Sequence, residues 1–213
     1  PKCRFPMDSQ AVMDVIAAEK QAIAEINAAI ANNPDDIAAI IIEPIQSEGG
    51  DNHFRVEFLK ALRQICDQHE IILIFDEVQS GFCRTGHWAS WQHYKVQPDL
   101  STYAKSMGSG LPIAAVVGRA EVMDAALPGT IGGTYIGSPL SCVAASATIK
   151  YMKEINLNER ANEIGKIITE RMLNLQKTCK DIGDVRGIGA MIGIEFVKNN
   201  DPRQPNGELC DRI

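Results

Sequence analysis

The 213 residues are 45% hydrophobic and 23% charged, the proportions of an ordinary globular chain, which excludes wholesale disorder. A formal net charge of −6, with no run of Lys or Arg, argues against a nucleic-acid surface. The apolar run Ile37 to Ile42 stops at Glu43 and nothing approaches the roughly 18 residues of a membrane span, so a soluble protein is expected. At about 150 residues per domain, the length predicts one domain plus part of another. The chain begins at Pro1 and stops at Ile213 inside a polar stretch, which reads as a piece of a longer polypeptide. Six widely spaced cysteines, none in a C-x-x-C pair, favour a reduced, cytoplasmic setting.

In chain order, Ser9 to Ala31 reads as a helix capped by Asp8 or Ser9, with Ile16, Ile23 and Ile30 on one stripe. The continuous apolar run from Ile37 to Glu43 predicts a strand buried on both faces. After the loop 46–51, Phe54, Phe58, Leu62 and Ile65 recur at helical spacing across 53–70, with His53 at the helix start. Ile71 to Phe75 is a second buried strand, leading into Asp76-Glu77-Val78-Gln79. A loop over 80–87 precedes the aromatics Trp88, Trp91 and Tyr94, expected to pack in the core. Short strands come next, from Pro98 to about Lys105 and from Pro112 to Gly118, then a helical segment 119–126 and a flexible glycine-bearing stretch 128–134. A long helical region from about Ser138 to Asp181 is broken near 156–158, and Gly187 to Val197 reads as one strand. Strands alternating with helices predict an α/β fold with a mostly parallel sheet.

Ligands of open α/β sheets gather at the carboxyl ends of strands, and Asp76 and Lys105 stand at two such ends. A lysine becomes a useful nucleophile when burial or a neighbouring cation lowers its pKa, and its commonest covalent product is a Schiff base. Pyridoxal phosphate also needs a carboxylate to keep its ring nitrogen protonated. An amine and a carboxylate on separate strand ends suit those two roles. An Asp that merely caps a strand and a solvated Lys remain the plain alternatives.

The ordered set Ile42-Glu43-Pro44-Ile45-Gln46-Ser47-Glu48-Gly49-Gly50, Phe75-Asp76-Glu77-Val78-Gln79-Ser80-Gly81-Phe82-Cys83-Arg84-Thr85-Gly86, Pro98-Asp99-Leu100, Ala104-Lys105-Ser106, Gly110-Leu111-Pro112 and Gly132-Gly133-Thr134-Tyr135-Ile136-Gly137-Ser138-Pro139 closely resembles the class III (omega-type) pyridoxal-phosphate aminotransferases. The resemblance covers about 37–197. It implies fold type I, with the large cofactor-binding domain over 1–155 and the linker helix and start of the small C-terminal domain over 156–213. It implies that Lys105 carries the Schiff base and shuttles a proton, and that Asp76 pairs with the pyridinium nitrogen. Val78 would pack on the ring, and Gln79 would bond its phenolic oxygen. Thr134 would contact the phosphate of the neighbouring subunit in a homodimer. Glu43 would sit beside the substrate, and Glu48 would be a gate that pairs with an arginine for the amino donor and releases it for a 2-oxo acid. The run 45–53 looks most like 4-aminobutyrate and lysine ε-aminotransferases, which makes 4-aminobutyrate with 2-oxoglutarate the expected substrate pair. Ornithine, diaminobutyrate and beta-alanine transaminases, and racemases or epimerases on this scaffold, share these motifs.

Other readings are weaker. Ile71 to Glu77 also fits a Walker B strand, but no G-x-x-x-x-G-K-[ST] string accompanies it. Gly187-Ile188-Gly189-Ala190-Met191-Ile192-Gly193 resembles a dinucleotide loop, yet an apolar strand follows where a helix is required; a tight lead-in to a strand is expected instead. Cys66 and His69 share a helix without a second ligand pair, so no metal site is expected and Cys66 should face the core. His87 and His93 are read as packing or surface groups. Arg84 is expected to anchor its loop to a neighbouring carboxylate.

Overall fold

The computed structural model describes residues 9–199, 201 and 204–213. Helix α1 runs from Ser9 to Asn32, as its apolar stripe predicts; Asp8, the other expected cap, lies outside the described residues. Strand β1 (Ala39–Ile42) leads through Pro44 into a small antiparallel pair, β2 (Ile45–Gln46) with β3 (Asn52–His53). Then come α2 (Val56–Gln68) and β4 (Ile72–Asp76). After a short α3 (Trp91–Tyr94) come β5 (Leu100–Tyr103), a 3-10 turn at Lys105–Gly108 and β6 (Ala115–Gly118). The rest is α4 (Ala120–Met123), α5 (Pro139–Glu154), α6 (Leu157–Gln176), β7 (Ile182–Ile188), β8 (Met191–Phe196) and α7 (Gly207–Cys210).

The main sheet has the order β1-β4-β5-β6. Strands β1, β4 and β5 are mutually parallel, and β6 runs antiparallel to β5. One face carries the core. Leu73 and Phe75 of β4 meet Phe58, Leu59, Leu62 and Cys66 of α2, with Ile23, Ile26 and Ile30 of α1 packed against them. Cys66 faces this core, and burial pushes its thiol up to about 11.

The β1 strand departs from expectation. Ile40 and Ile42 pack on the core, but Ile41 is 61% exposed. An apolar run cannot show that, among the described residues, nothing packs on the second face at Ile41. His53 does not start α2 either. It pairs with Ile45 in β3, its Nε2 buried without a partner among the described residues. Burial holds this imidazole below its usual pKa, the nearby Asp51 opposing and Arg186 adding to the shift.

The long helical region breaks where expected, at Asn156, whose φ of 48° is left-handed. Beyond α6 the chain forms a β7–β8 hairpin rather than one strand. The polar Gly183-Asp184 pair hides β7 from a hydrophobic reading, because Asp184 is buried through an ion pair with Arg186 at 2.6 Å and not by being apolar. Gly189 turns the hairpin at a φ of 58°. A Cβ there would run into the Thr85–Gly86 backbone, and one on Gly165 of α6 would run into the Gly189 carbonyl. Glycines thus let helix, hairpin and the loop 80–90 approach at backbone distance.

Candidate active site

The three parallel strands end at one edge. Ile42 of β1 is level with Phe75, and Asp76 of β4 is level with Thr102 of β5. Glu43 therefore leaves β1 beside Asp76, and Lys105 lies two residues beyond the end of β5. A cleft of about 340 Å3 at this edge is lined by Ile41, Ile42, Glu43, Gln46, Phe54 and Asp76. Ligands of parallel sheets are held at such edges.

Asp76 is oriented by its own loop: Oδ1 accepts the Val78 N–H at 3.0 Å. Its Oδ2 has no partner among the described residues. Glu43 Oε2 accepts the Ser47 N–H at 3.1 Å. Lys105 opens the 3-10 turn with a φ of 47°, a left-handed conformation uncommon outside glycine. Its side chain is exposed, and no hydrogen bond or ion pair holds its ammonium among the described residues. A strained backbone beneath an unpaired amine, next to a carboxylate strand end, fits a functional group better than a structural one.

Glu48 and Gln79 lie 31 residues apart in sequence and meet here. Gln79 Nε2 donates to Glu48 Oε1 at 2.9 Å. The loop bearing Glu48 is also gripped from the C-terminal hairpin, where Arg186 donates through Nε to the Asp51 carbonyl at 2.8 Å and through Nη2 to the Gly50 carbonyl at 2.6 Å. Arg84 does not bind a carboxylate among the described residues, contrary to expectation. Its Nη1 donates to the Gln79 backbone carbonyl at 2.9 Å and to Gln79 Oε1 at 3.0 Å. The loop doubles back to allow this, with Phe82 and Cys83 both left-handed at φ of 52° and 68°.

Thr134 stands apart from this network. It lies exposed in the turn 134–137, and no hydrogen bond joins it to the other predicted residues. Around it, Leu127, Ile131, Tyr135, Ile136, Leu140 and Val143 are all exposed.

Sequence reasoning gives no role of its own to Glu77. At 1% exposure, its Oε2 accepts from Ser80 Oγ (2.6 Å) and the Ser90 N–H (3.0 Å), and its Oε1 from Ser90 Oγ (2.9 Å) and the Trp91 N–H (2.9 Å). These four bonds close the loop that carries Val78 and Gln79. They also occupy the carboxylate that a Walker B role would need. A Ser three residues on is the one local signal; Ser90 and Trp91 are too distant to give another.

Comparison with known proteins identifies the family. The family model described as class-III aminotransferase matches residues 2–212. The chain is 47% identical over 197 residues to the 4-aminobutyrate aminotransferase GabT of Escherichia coli (strain K12), covering 92% of this chain and 46% of that protein. It is 46% identical, with the same coverage, to the 5-aminovalerate aminotransferase DavT of Pseudomonas aeruginosa. The structure of a taurine:2-oxoglutarate aminotransferase from Bifidobacterium kashiwanohense, in complex with PLP and glutamate, superposes with a TM-score of 0.81 at 28% identity, covering 90% of this chain and 44% of that one. The chain thus spans about half the length of the relatives it matches.

Proposed function

The chain belongs to the class III aminotransferase family, and on that premise we propose that it forms the cofactor-binding part of a pyridoxal-phosphate transaminase taking an ω-amino donor, 4-aminobutyrate first, with 2-oxoglutarate as acceptor. The observation that carries this reading is the shared edge of β1, β4 and β5: Glu43 and Asp76 line one cleft there, and Lys105 follows two residues after β5 ends at the same edge. The names of GabT and DavT favour an ω-amino donor.

The residues fit the cofactor. Asp76 keeps one carboxylate oxygen without a partner among the described residues after the other has accepted the Val78 N–H, which suits a charged bond to a pyridinium nitrogen. When bound, pyridoxal phosphate supplies an electron sink for the amino-bearing carbon. Lys105 Nζ would hold the cofactor covalently at rest and, once displaced by the donor amine, would take the proton from the donor carbon and deliver it to C4′. Val78 would pack on the ring, and Gln79 would donate to its phenolic oxygen. Glu43 would border the substrate. Glu48, in its glycine-flanked loop, would be the group that moves when a donor with one carboxylate is exchanged for an acceptor with two. The exposed apolar stretch around Thr134 suits a homodimer in which Thr134 reaches the partner's phosphate site.

Product analysis tests the substrate assignment. The full-length protein should form glutamate from 2-oxoglutarate with 4-aminobutyrate or 5-aminovalerate at a kcat/KM at least about tenfold above that for alanine. Glutamate formation with α-amino donors alone would contradict it, as would exchange of an α-hydrogen with no requirement for a 2-oxo acid.

A further inference from the structure

A glutamine amide has an acceptor oxygen at one end and two N–H donors at the other, and its orientation is fixed only by its neighbours. Gln79 has a decisive neighbour at each end. Arg84 carries donors and no acceptor, so only Oε1 can face its Nη1 at 3.0 Å. The Glu48 carboxylate carries acceptors and no donor, so only Nε2 can meet its Oε1 at 2.9 Å. The two contacts agree on one orientation, and a flip would set oxygen against oxygen and donor against donor. The second Nε2 hydrogen then remains for another acceptor on the same side as Glu48.

Arg84 is itself held in place. Its Nη1 also bonds the Gln79 backbone carbonyl at 2.9 Å, and its own carbonyl accepts the Ala190 N–H of the hairpin turn at 2.8 Å. The loop behind it is tied by the Phe82 N–H to the Trp88 carbonyl at 2.9 Å. The guanidinium therefore approaches Gln79 from a fixed base, which lets it act as a template and not merely as a solvated charge.

We propose that Arg84 is a positioning residue: it locks the Gln79 amide so that one N–H holds Glu48 and the other is presented to the phenolic oxygen of the cofactor. The inference rests on the cofactor reading above and adds to it a residue that touches neither cofactor nor substrate. Without Arg84, Glu48 alone would fix the amide, and whenever Glu48 swings away between donor and acceptor the amide would be free to turn its oxygen toward the position that needs a donor.

The test is a double-mutant cycle in the full-length protein, read as the dissociation constant for pyridoxal phosphate and the position of its visible absorption band. Gln79→Ala should weaken cofactor binding about tenfold, the factor expected of one hydrogen bond to a charged oxygen; Arg84→Met should weaken it by less, because Glu48 still favours the donating orientation, and should shift the band in the same direction. The double variant should be no worse than Gln79→Ala alone, because Arg84 acts only through that amide. Arg84→Lys keeps a donor for Oε1 and should recover most of the affinity and the band position, which a general loosening of the loop would not explain. Additive losses in the double variant, or an Arg84→Met protein with wild-type affinity and spectrum, would overturn this inference alone. A wild-type protein that takes up no cofactor would overturn the functional reading and this inference with it.

Discussion

Lys105→Ala is expected to lower transamination by at least about 10⁴-fold, because it removes the covalent anchor and the proton carrier in one substitution. The two roles cannot be shared out. Among the described residues the charged groups lining the cleft at the edge of β1, β4 and β5 are the carboxylates Glu43 and Asp76, with no lysine among them; Lys105, two residues past β5, is the amine the chain places at that edge. The fold should barely notice. Lys105 is exposed and unpaired among the described residues, so stability should stay within about 0.5 kcal/mol of wild type. Steady-state rates beside a thermal melt check both statements. A variant that keeps more than about a hundredth of the activity would remove Lys105 from the mechanism.

Asp99→Asn should have the opposite profile, costing about 3 kcal/mol of stability, as expected when one partner leaves a largely buried charge cluster. Asp99 is 3% exposed, and its Oδ2 accepts from Arg63 Nη1 and from the Leu73 N–H, both at 2.8 Å. Its Oδ1 accepts from Arg119 Nη1 at 2.9 Å. One carboxylate thereby joins α2, β4 and the end of β6. An asparagine can accept at one end only, and its NH2 would face donors at the other. Burial by itself would raise this pKa, but the Leu73 amide and the Arg63 and Arg119 hydrogen bonds outweigh it and hold the carboxyl below its usual range. A depressed pKa fixes the sign of the pH dependence. The stabilisation is complete above the unfolded value of about 3.9 and is lost as the pH falls through the folded value. The gap between wild type and Asp99→Asn, measured by denaturant unfolding, should be constant from about pH 5 to 8 and should close in stronger acid. A gap that widened on acidification would contradict this account of Asp99.

These two residues also show where the sequence is legible. Helix α1, the break at Asn156 and strand β4 all carry their signals locally, in apolar spacing or in a run of apolar residues ending at a charge. Asp76 is readable for that reason, since a carboxylate at the end of a buried strand is a local pattern. Lys105 comes after a strand with only Leu100 and Tyr103 at its ends, and it needs the ordered motifs around it. What escapes depends on contacts distant in sequence. The Gln79–Glu48 bond spans 31 residues, and Arg186 reaches the Gly50 carbonyl across 136. The β7–β8 hairpin reads as a single strand because ion pairing, not apolarity, buries Asp184. Ile41 is expected inside because an apolar run looks the same whether one face of the sheet or both are covered. Arg84 is expected to seek a carboxylate, yet the left-handed Phe82–Cys83 step turns it onto an amide.

The central claim, that Lys105 and Asp76 serve a transaminase cofactor, is tested most directly by the absorption spectrum of the full-length protein through its two half-reactions. With pyridoxal phosphate bound, a visible band should fall when 4-aminobutyrate is added alone and return when 2-oxoglutarate is added after the amine is removed. A band indifferent to every amine tried, or no band after pyridoxal phosphate is supplied, would contradict it.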